Sequence, residues 1–180
     1  MECASTTEQL IGAARSNNES LVESLLKGKS PKEIAEIINT TTDPVGNTLL
    51  HLAAHHGSLE TLDLLLDQEG VEIDPKNRLV GNTPLHNAVE FARGPGNGPI
   101  GLQVVDLLIE CGAEPSPRNQ TGKRPIDIAQ LAGLTDVVTS LRGAQYAQEM
   151  AQSFTGEADG PADGPVEGDE DGEGSASDSE

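Results

Sequence analysis

Between residues 46 and 66 the apolar positions fall into two tight clusters at helical spacing. Leu49, Leu50, Leu52, Ala53 and Ala54 form the first, and Leu59, Leu62, Leu64, Leu65 and Leu66 the second. Gly57 separates them, and glycine ends a helix readily because it enters positive φ without a Cβ penalty. The pattern predicts two short helices back to back. Helices this short cannot bury their apolar faces alone, so the same pattern should recur elsewhere in the chain.

It recurs 35 residues on, where Gly81-Asn82-Thr83-Pro84-Leu85-His86-Asn87-Ala88 aligns with Gly46-Asn47-Thr48-Leu49-Leu50-His51-Leu52-Ala53. The second helix of this copy, around Val104 to Ile109, follows extra residues. A weaker copy begins at Gly122-Lys123-Arg124-Pro125-Ile126-Asp127-Ile128-Ala129 and continues through Gly133 to Val137-Val138. It starts 41 residues after Gly81, a period near 33 plus about eight inserted residues.

Before the first clear copy, Leu10, Ile11, Ala13 and Ala14 are followed by Ser16-Asn17-Asn18 and then by Leu21, Val22, Leu25 and Leu26. This is the same helix pair without the turn signature, with Thr6 or Thr7 as its expected N-cap. An atypical unit of this kind suits the end of a stack. Ser30-Pro31-Lys32-Glu33 then signals a capped helix through Ile34, Ile37 and Ile38, expected as a packing plug on the first unit.

The string G-x-T-P-L-H-x-A, followed by a glycine, a leucine-rich run and Gly-Ala, resembles the ankyrin repeat. The resemblance is strong over 43–77, good over 78–118 and degenerate over 119–142. It implies an all-α solenoid of about four helix-turn-helix units with β-turn or hairpin tips, and it implies nothing about catalysis. On this reading the chain divides into a capping unit with an extra helix (1–42), repeats (43–142), a C-terminal helix (143–154) and an acidic disordered tail (155–180). Gly143 is expected to break the last regular helix. Tyr146, Ala147, Met150, Ala151 and Phe154 would then cover the open end of the stack.

Charge narrows the class of partner. The net charge of the 180 residues is −19, with 2% aromatics. Ten Asp or Glu and no Lys or Arg stand between Thr155 and Glu180, leaving about −9 on the preceding 154 residues. A chain so acidic is poorly suited to nucleic acid, whose binding draws on Lys and Arg. It suits basic partners better. The tail lacks the apolar surface needed to offset chain ordering. Ser175 and Ser177 each have an acid three residues on, which suits an acid-directed kinase, and each phosphate would add about −1.5 to −2.

Little in the chain points to chemistry. Cys3 and Cys111 make neither a disulfide framework nor a zinc spacing. The N-terminus has no basic and apolar leader pattern, and no apolar run has membrane-span length. The expectation is a monomer of the cytoplasm or nucleus, without cofactor or membrane. His51 and His55 are four apart, but Leu52 stands where metalloprotease chemistry needs Glu. The stretch Arg93-Gly94-Pro95-Gly96-Asn97-Gly98-Pro99-Ile100-Gly101 lacks the Gly-Lys-Ser/Thr of a phosphate loop, and reads as a flexible surface insertion.

In the family the turn tips and the exposed side of each first helix line a concave face. Carried over, that face holds Val45, Asn47, His55 and His56 in the second unit. In the third it holds Leu79, Val80, Asn82, Glu90 and Phe91, and in the fourth Gln120, Thr121, Lys123 and Leu131. Arg15 and Ser16 are the only positions placed in the first. Val45, Leu79, Val80 and Phe91 are apolar where the scaffold needs no apolar group, and Phe91 is the expected anchor of a protein interface. His55 and His56 side by side would make binding pH-sensitive.

The expected function is a non-enzymatic protein-binding adaptor. The alternatives are an escort or chaperone for a basic client, such as a ribosomal or nuclear protein, and an assembly factor or inhibitor of a larger enzyme. Against a basic client, Lys76, Arg78, Arg118, Lys123 and Arg124 put positive charge near the concave edge and favour an acidic segment there.

Overall fold

The structure is a computed structural model and describes residues 5–155. Nine α-helices follow one another among the described residues: α1 (Thr6–Ser16), α2 (Glu19–Leu26), α3 (Pro31–Thr40), α4 (Leu49–His56), α5 (Leu59–Leu66), α6 (Pro84–Ala92), α7 (Gly98–Glu110), α8 (Pro125–Leu131) and α9 (Thr135–Thr155). The same residues hold no strand, only one isolated bridge between Thr42 and Thr48.

Four hairpins result: α1–α2, α4–α5, α6–α7 and α8–α9. The first helices stack in the order α1, α4, α6, α8, and the second helices pack beside them in the order α2, α5, α7, α9. Small residues make this possible. Ala14, Ala53, Ala54, Ala88 and Ala129 are fully buried between the first helices, where a larger side chain would force neighbouring axes apart. Leu10, Leu50, Leu62, Leu65, Leu85, Leu108 and Leu141 fill the space between layers at no more than 1% exposure. Each contributes about 1.5–3 kcal/mol by leaving water.

Several local expectations change. The first helix is capped by Ser5, not Thr6 or Thr7. Its hydroxyl accepts from the Glu8 amide at 3.2 Å while the Glu8 carboxylate accepts the Ser5 amide at 2.9 Å. Glu8 thus selects which hydroxyl closes the capping box. The same reciprocal pair forms at Ser30 and Glu33, and α3 buries Ala35 and Ile38. Asn39, at the end of α3, bonds Gly70 O and Glu72 N, tying this extra helix to the loop after α5.

The glycine-rich insertion is part turn and part helix. Residues 98–101 form the first turn of α7, which runs 13 residues against eight for α5. A first helical turn has no intrahelical acceptors for its amides, so Pro99 is tolerated there. Gly101 is required by packing, because a Cβ on it would lie 2.4 Å from the Ala92 Cβ of α6.

Nor does Gly143 break the last helix. α9 runs unbroken for 21 residues, since a lone glycine costs only about 1 kcal/mol in a helix of good formers. Val137 and Leu141 of its first half are buried. Tyr146 and Met150 of its second half are 65% and 54% exposed, so they do not cover the stack. The side chain of Phe154, Ser175, Ser177 and the acidic tail lie outside the described residues. Among the described residues, no helix is long and apolar enough to cross a membrane.

Candidate protein-binding face

The turn tips that border the concave face are built from one polar scheme used three times. Asp43, Asn77 and Asn119 each open a turn and gather its amides on one side-chain oxygen. Asp43 accepts from the amides of Val45 and Asn47, Asn77 from those of Val80 and Asn82, and Asn119 from those of Thr121 and Lys123, all between 2.9 and 3.1 Å. The turns are then joined to each other. The Asn77 amide group donates to Asn47 Oδ1 at 2.8 Å, and that of Asn119 to Asn82 Oδ1 at 2.9 Å.

Buried histidines add a second link between units. The Thr48 amide donates to His51 Nδ1 at 3.2 Å. That nitrogen is therefore an acceptor, and the ring proton sits on Nε2, which donates to the Asn82 carbonyl of the next turn at 2.8 Å. His86 repeats the arrangement, taking the Thr83 amide at 3.1 Å and donating to the Lys123 carbonyl at 3.0 Å. Burial pushes the pKa of both rings below the ordinary histidine value, with the accepting carbonyls opposing it. With both nitrogens of His51 committed to the backbone, a metal pair with His55 is ruled out chemically.

In the fourth unit Asp127 takes the histidine's place. Its carboxylate accepts the Arg124 amide at 2.9 Å and pairs with the Arg124 guanidinium at 2.9 Å. That bond to Arg124, more than any other contact, holds the Asp127 carboxyl below the usual range. A carboxylate cannot donate to a further turn, and none follows among the described residues.

This polar frame reassigns two expected binding residues. Asn47 and Asn82 are half-buried and use their side chains on neighbouring turns. Asn82 still contributes to the wall of the face but has little left to offer a partner. Phe91 also sits elsewhere. Its ring lies over Gly57, where a Cβ would come within 2.4 Å of Phe91 Cζ, and Ile100 of α7 packs beside the same spot. Gly57, at φ +67, thus serves both as the terminus of α4 and as a seat for an aromatic ring. Phe91 is half-buried there.

What the structure does bring together is a depression of about 230 Å³ between the third and fourth units. Val80, Glu90, Lys123 and Leu131 line it, with Thr121 and Arg93 at its edge. Glu90 and Arg93 form an ion pair at 2.8 Å. Arg93 was hidden in the sequence as the first residue of the apparent insertion. Leu131, at 74% exposure, is the most exposed large apolar side chain among the described residues, followed by Leu79 at 66%. Val45 and Gln120 lie at the turn tips, and the Gln120 amide donates to the Val80 carbonyl at 2.8 Å.

On the second unit, the rings of His55 and His56 meet edge-to-face at 5.4 Å. His56 donates through Nδ1 to the Leu52 carbonyl. Burial lowers the His55 pKa, helped by the positive charge of a protonated His56 and opposed by Glu90.

Comparison with known proteins agrees with this geometry. The family model for ankyrin repeats in three copies matches residues 10–119, which ends at the turn of the fourth unit, ahead of Asp127. The ankyrin repeat-containing protein YGL242C of Saccharomyces cerevisiae is 41% identical over 150 residues, spanning 81% of each chain. A putative ankyrin repeat protein of fowlpox virus, FPV031, is 31% identical over 136 residues, covering 73% of this chain but only 36% of the viral protein. The crystal structure of an ankyrin repeat domain from Acinetobacter baumannii superposes with a TM-score of 0.63 at 24% identity, over 79% of this chain and 70% of that one, which speaks to the fold alone. The chain belongs to the ankyrin repeat family.

Proposed function

We propose that this chain is a non-enzymatic module that binds one protein partner in the depression between its third and fourth units. The observation that carries the reading is Leu131. It is a large apolar side chain about three-quarters exposed to water, lining the same depression as Val80 and the charged side chains of Glu90, Arg93 and Lys123. An apolar spot with a polar rim is the usual anatomy of a protein interface. Ankyrin repeats generally bind proteins, which supports the class of partner. The cations along the same edge weigh against a basic client docking there.

The test is affinity capture with quantitative mass spectrometry, comparing the wild-type chain with a Val80→Asp, Leu131→Asp variant. Far-UV circular dichroism and melting should stay near wild type, because neither side chain belongs to the buried core. At least one captured protein should fall tenfold or more. A folded variant that captures the same proteins in the same amounts overturns the proposal.

A further inference from the structure

The turn tips carry a charge pattern that the groove does not explain. Lys76, Arg78, Arg118, Lys123 and Arg124 hold five of the eleven Lys and Arg of a chain with net charge −19, and all five sit on one edge, at the tips of the third and fourth units. Contacts tie these tips together. Lys76 Nζ donates to the Arg118 carbonyl, and the Arg118 guanidinium to the Gly122 carbonyl at 2.7 Å. Only one carboxylate among the described residues serves the ridge, Asp127, which is 2.9 Å from Arg124 and 4.0 Å from Arg118. Lys76, Arg78 and Lys123 have no ion pair among those residues.

The course of α9 directs the chain toward this edge. Gly133, at φ +71, and the bond from Leu134 N to Ala129 O reverse the chain between α8 and α9. α9 therefore runs back toward the side where α8 begins, beside Lys123 and Arg124. It is 21 residues long against seven for α8. At about 1.5 Å per residue it overshoots the start of α8 by roughly 15–20 Å on the turn side. The residues that follow, 156–180, carry ten carboxylates and no Lys or Arg. Fully extended they reach on the order of 80 Å, several times the distance between neighbouring turns, which is about 10 Å.

We propose that the basic ridge is a binding surface for acidic polypeptide and that its occupant in the free chain is the chain's own segment 156–180. Tethering raises the local concentration of that segment to the order of millimolar. Weak individual charge contacts then suffice for occupancy. Screening acts over about 8 Å at 0.15 M salt, so the contact should persist there and weaken at higher salt. An acidic segment of a partner would have to displace it. This inference stands apart from the identity of any groove partner.

Zero-length carbodiimide cross-linking of the full chain at low micromolar concentration, mapped by mass spectrometry, tests it without a partner. The five lysines supply an internal control. Lys27, Lys29 and Lys32 lie around α2 and α3 at the first unit, while Lys76 and Lys123 lie at the tips of the third and fourth. The expected result is linkage of carboxylates between Glu157 and Glu180 to Lys76 and Lys123, at least fivefold above linkage to the other three. It should occur within the monomer band and fall severalfold in 0.5 M salt. Substituting Arg78→Gln and Arg118→Gln should lower the yield at both ridge lysines. Equal linkage to all five lysines, no linkage to the ridge, or linkage only between copies would overturn the proposal.

Discussion

The second and third units differ from the fourth in one side chain at the same position of the first helix. His51 and His86 each accept an amide of their own turn and donate to a carbonyl of the next turn. Asp127 accepts the amide of its own turn and pairs with Arg124, and reaches no further. An imidazole has one nitrogen for each direction, while an ionised carboxylate only accepts. The difference shows that a repeat's signature residue answers to its neighbour. Where another unit follows, the position needs a donor as well as an acceptor, and where the stack ends an acceptor suffices.

The sharpest way to break this comparison is to remove a bridging ring. His51→Ala takes away the acceptor for the Thr48 amide, leaves the Asn82 carbonyl without its donor and opens a void at a fully buried site. The expected loss is about 2–4 kcal/mol, read as a shift of the urea midpoint with circular dichroism. A loss below 1 kcal/mol would mean that the link between turns contributes nothing beyond an ordinary cap.

Acid should discriminate between the same positions. His51 and His86 have folded-state pKa values below their unfolded value near 6.5, because burial favours the neutral ring. The unfolded chain then binds more protons in the window from about pH 6.5 downward, so stability is full above that window and falls as pH drops through it. The pair together would cost up to about 1.4 kcal/mol between pH 7 and pH 6. Chemical unfolding across that range measures it, and His51→Ala should show a clearly shallower slope, with His86 and the less buried His55 left to titrate. A flat profile in the wild type would mean the rings are as easily protonated folded as unfolded.

The scaffold was legible in the chain because it depends on spacing. Leucine and alanine stripes, the glycine between helices and the Thr–His pair all repeat at fixed offsets, and all occupy the places that the period assigns them. The candidate site was less legible, because display depends on which atoms a neighbouring unit leaves unused. Asn47 and Asn82 read as offered to a partner, yet Asn77 and Asn119, some 30 and 37 residues away, occupy them. Phe91 read as an anchor because position alone does not reveal that Gly57, lacking a Cβ, leaves room for its ring. The Gly-Pro run read as loop, but a first helical turn accepts Pro99, and Gly101 is the residue that lets α7 approach α6. Leu131 and Lys123 stand at the depression because, among the described residues, no fifth turn packs on the fourth.

The smallest effect, and the one that sharpens the comparison most, belongs to Asp127→Asn. The asparagine oxygen can still accept the Arg124 amide, so the local cap remains. What disappears is the charged partner of Arg124 and, more distantly, of Arg118. Both guanidinium groups are partly exposed, so solvent screening reduces the loss to about 0.5–1 kcal/mol at neutral pH. Because the folded pKa of Asp127 is lowered, this contribution is present above the unfolded carboxyl value near 4 and vanishes as pH falls through the folded value. Wild type and variant should therefore converge in strong acid. The Asp127 charge also raises the His86 pKa against the larger effect of burial, so the deficit of the variant should widen somewhat between pH 7 and pH 6 before it closes as pH falls through the folded Asp127 value. A deficit that stays constant between pH 7 and pH 6 would mean that the terminal carboxylate acts on its own turn alone and that its charge does not reach the His86 ring.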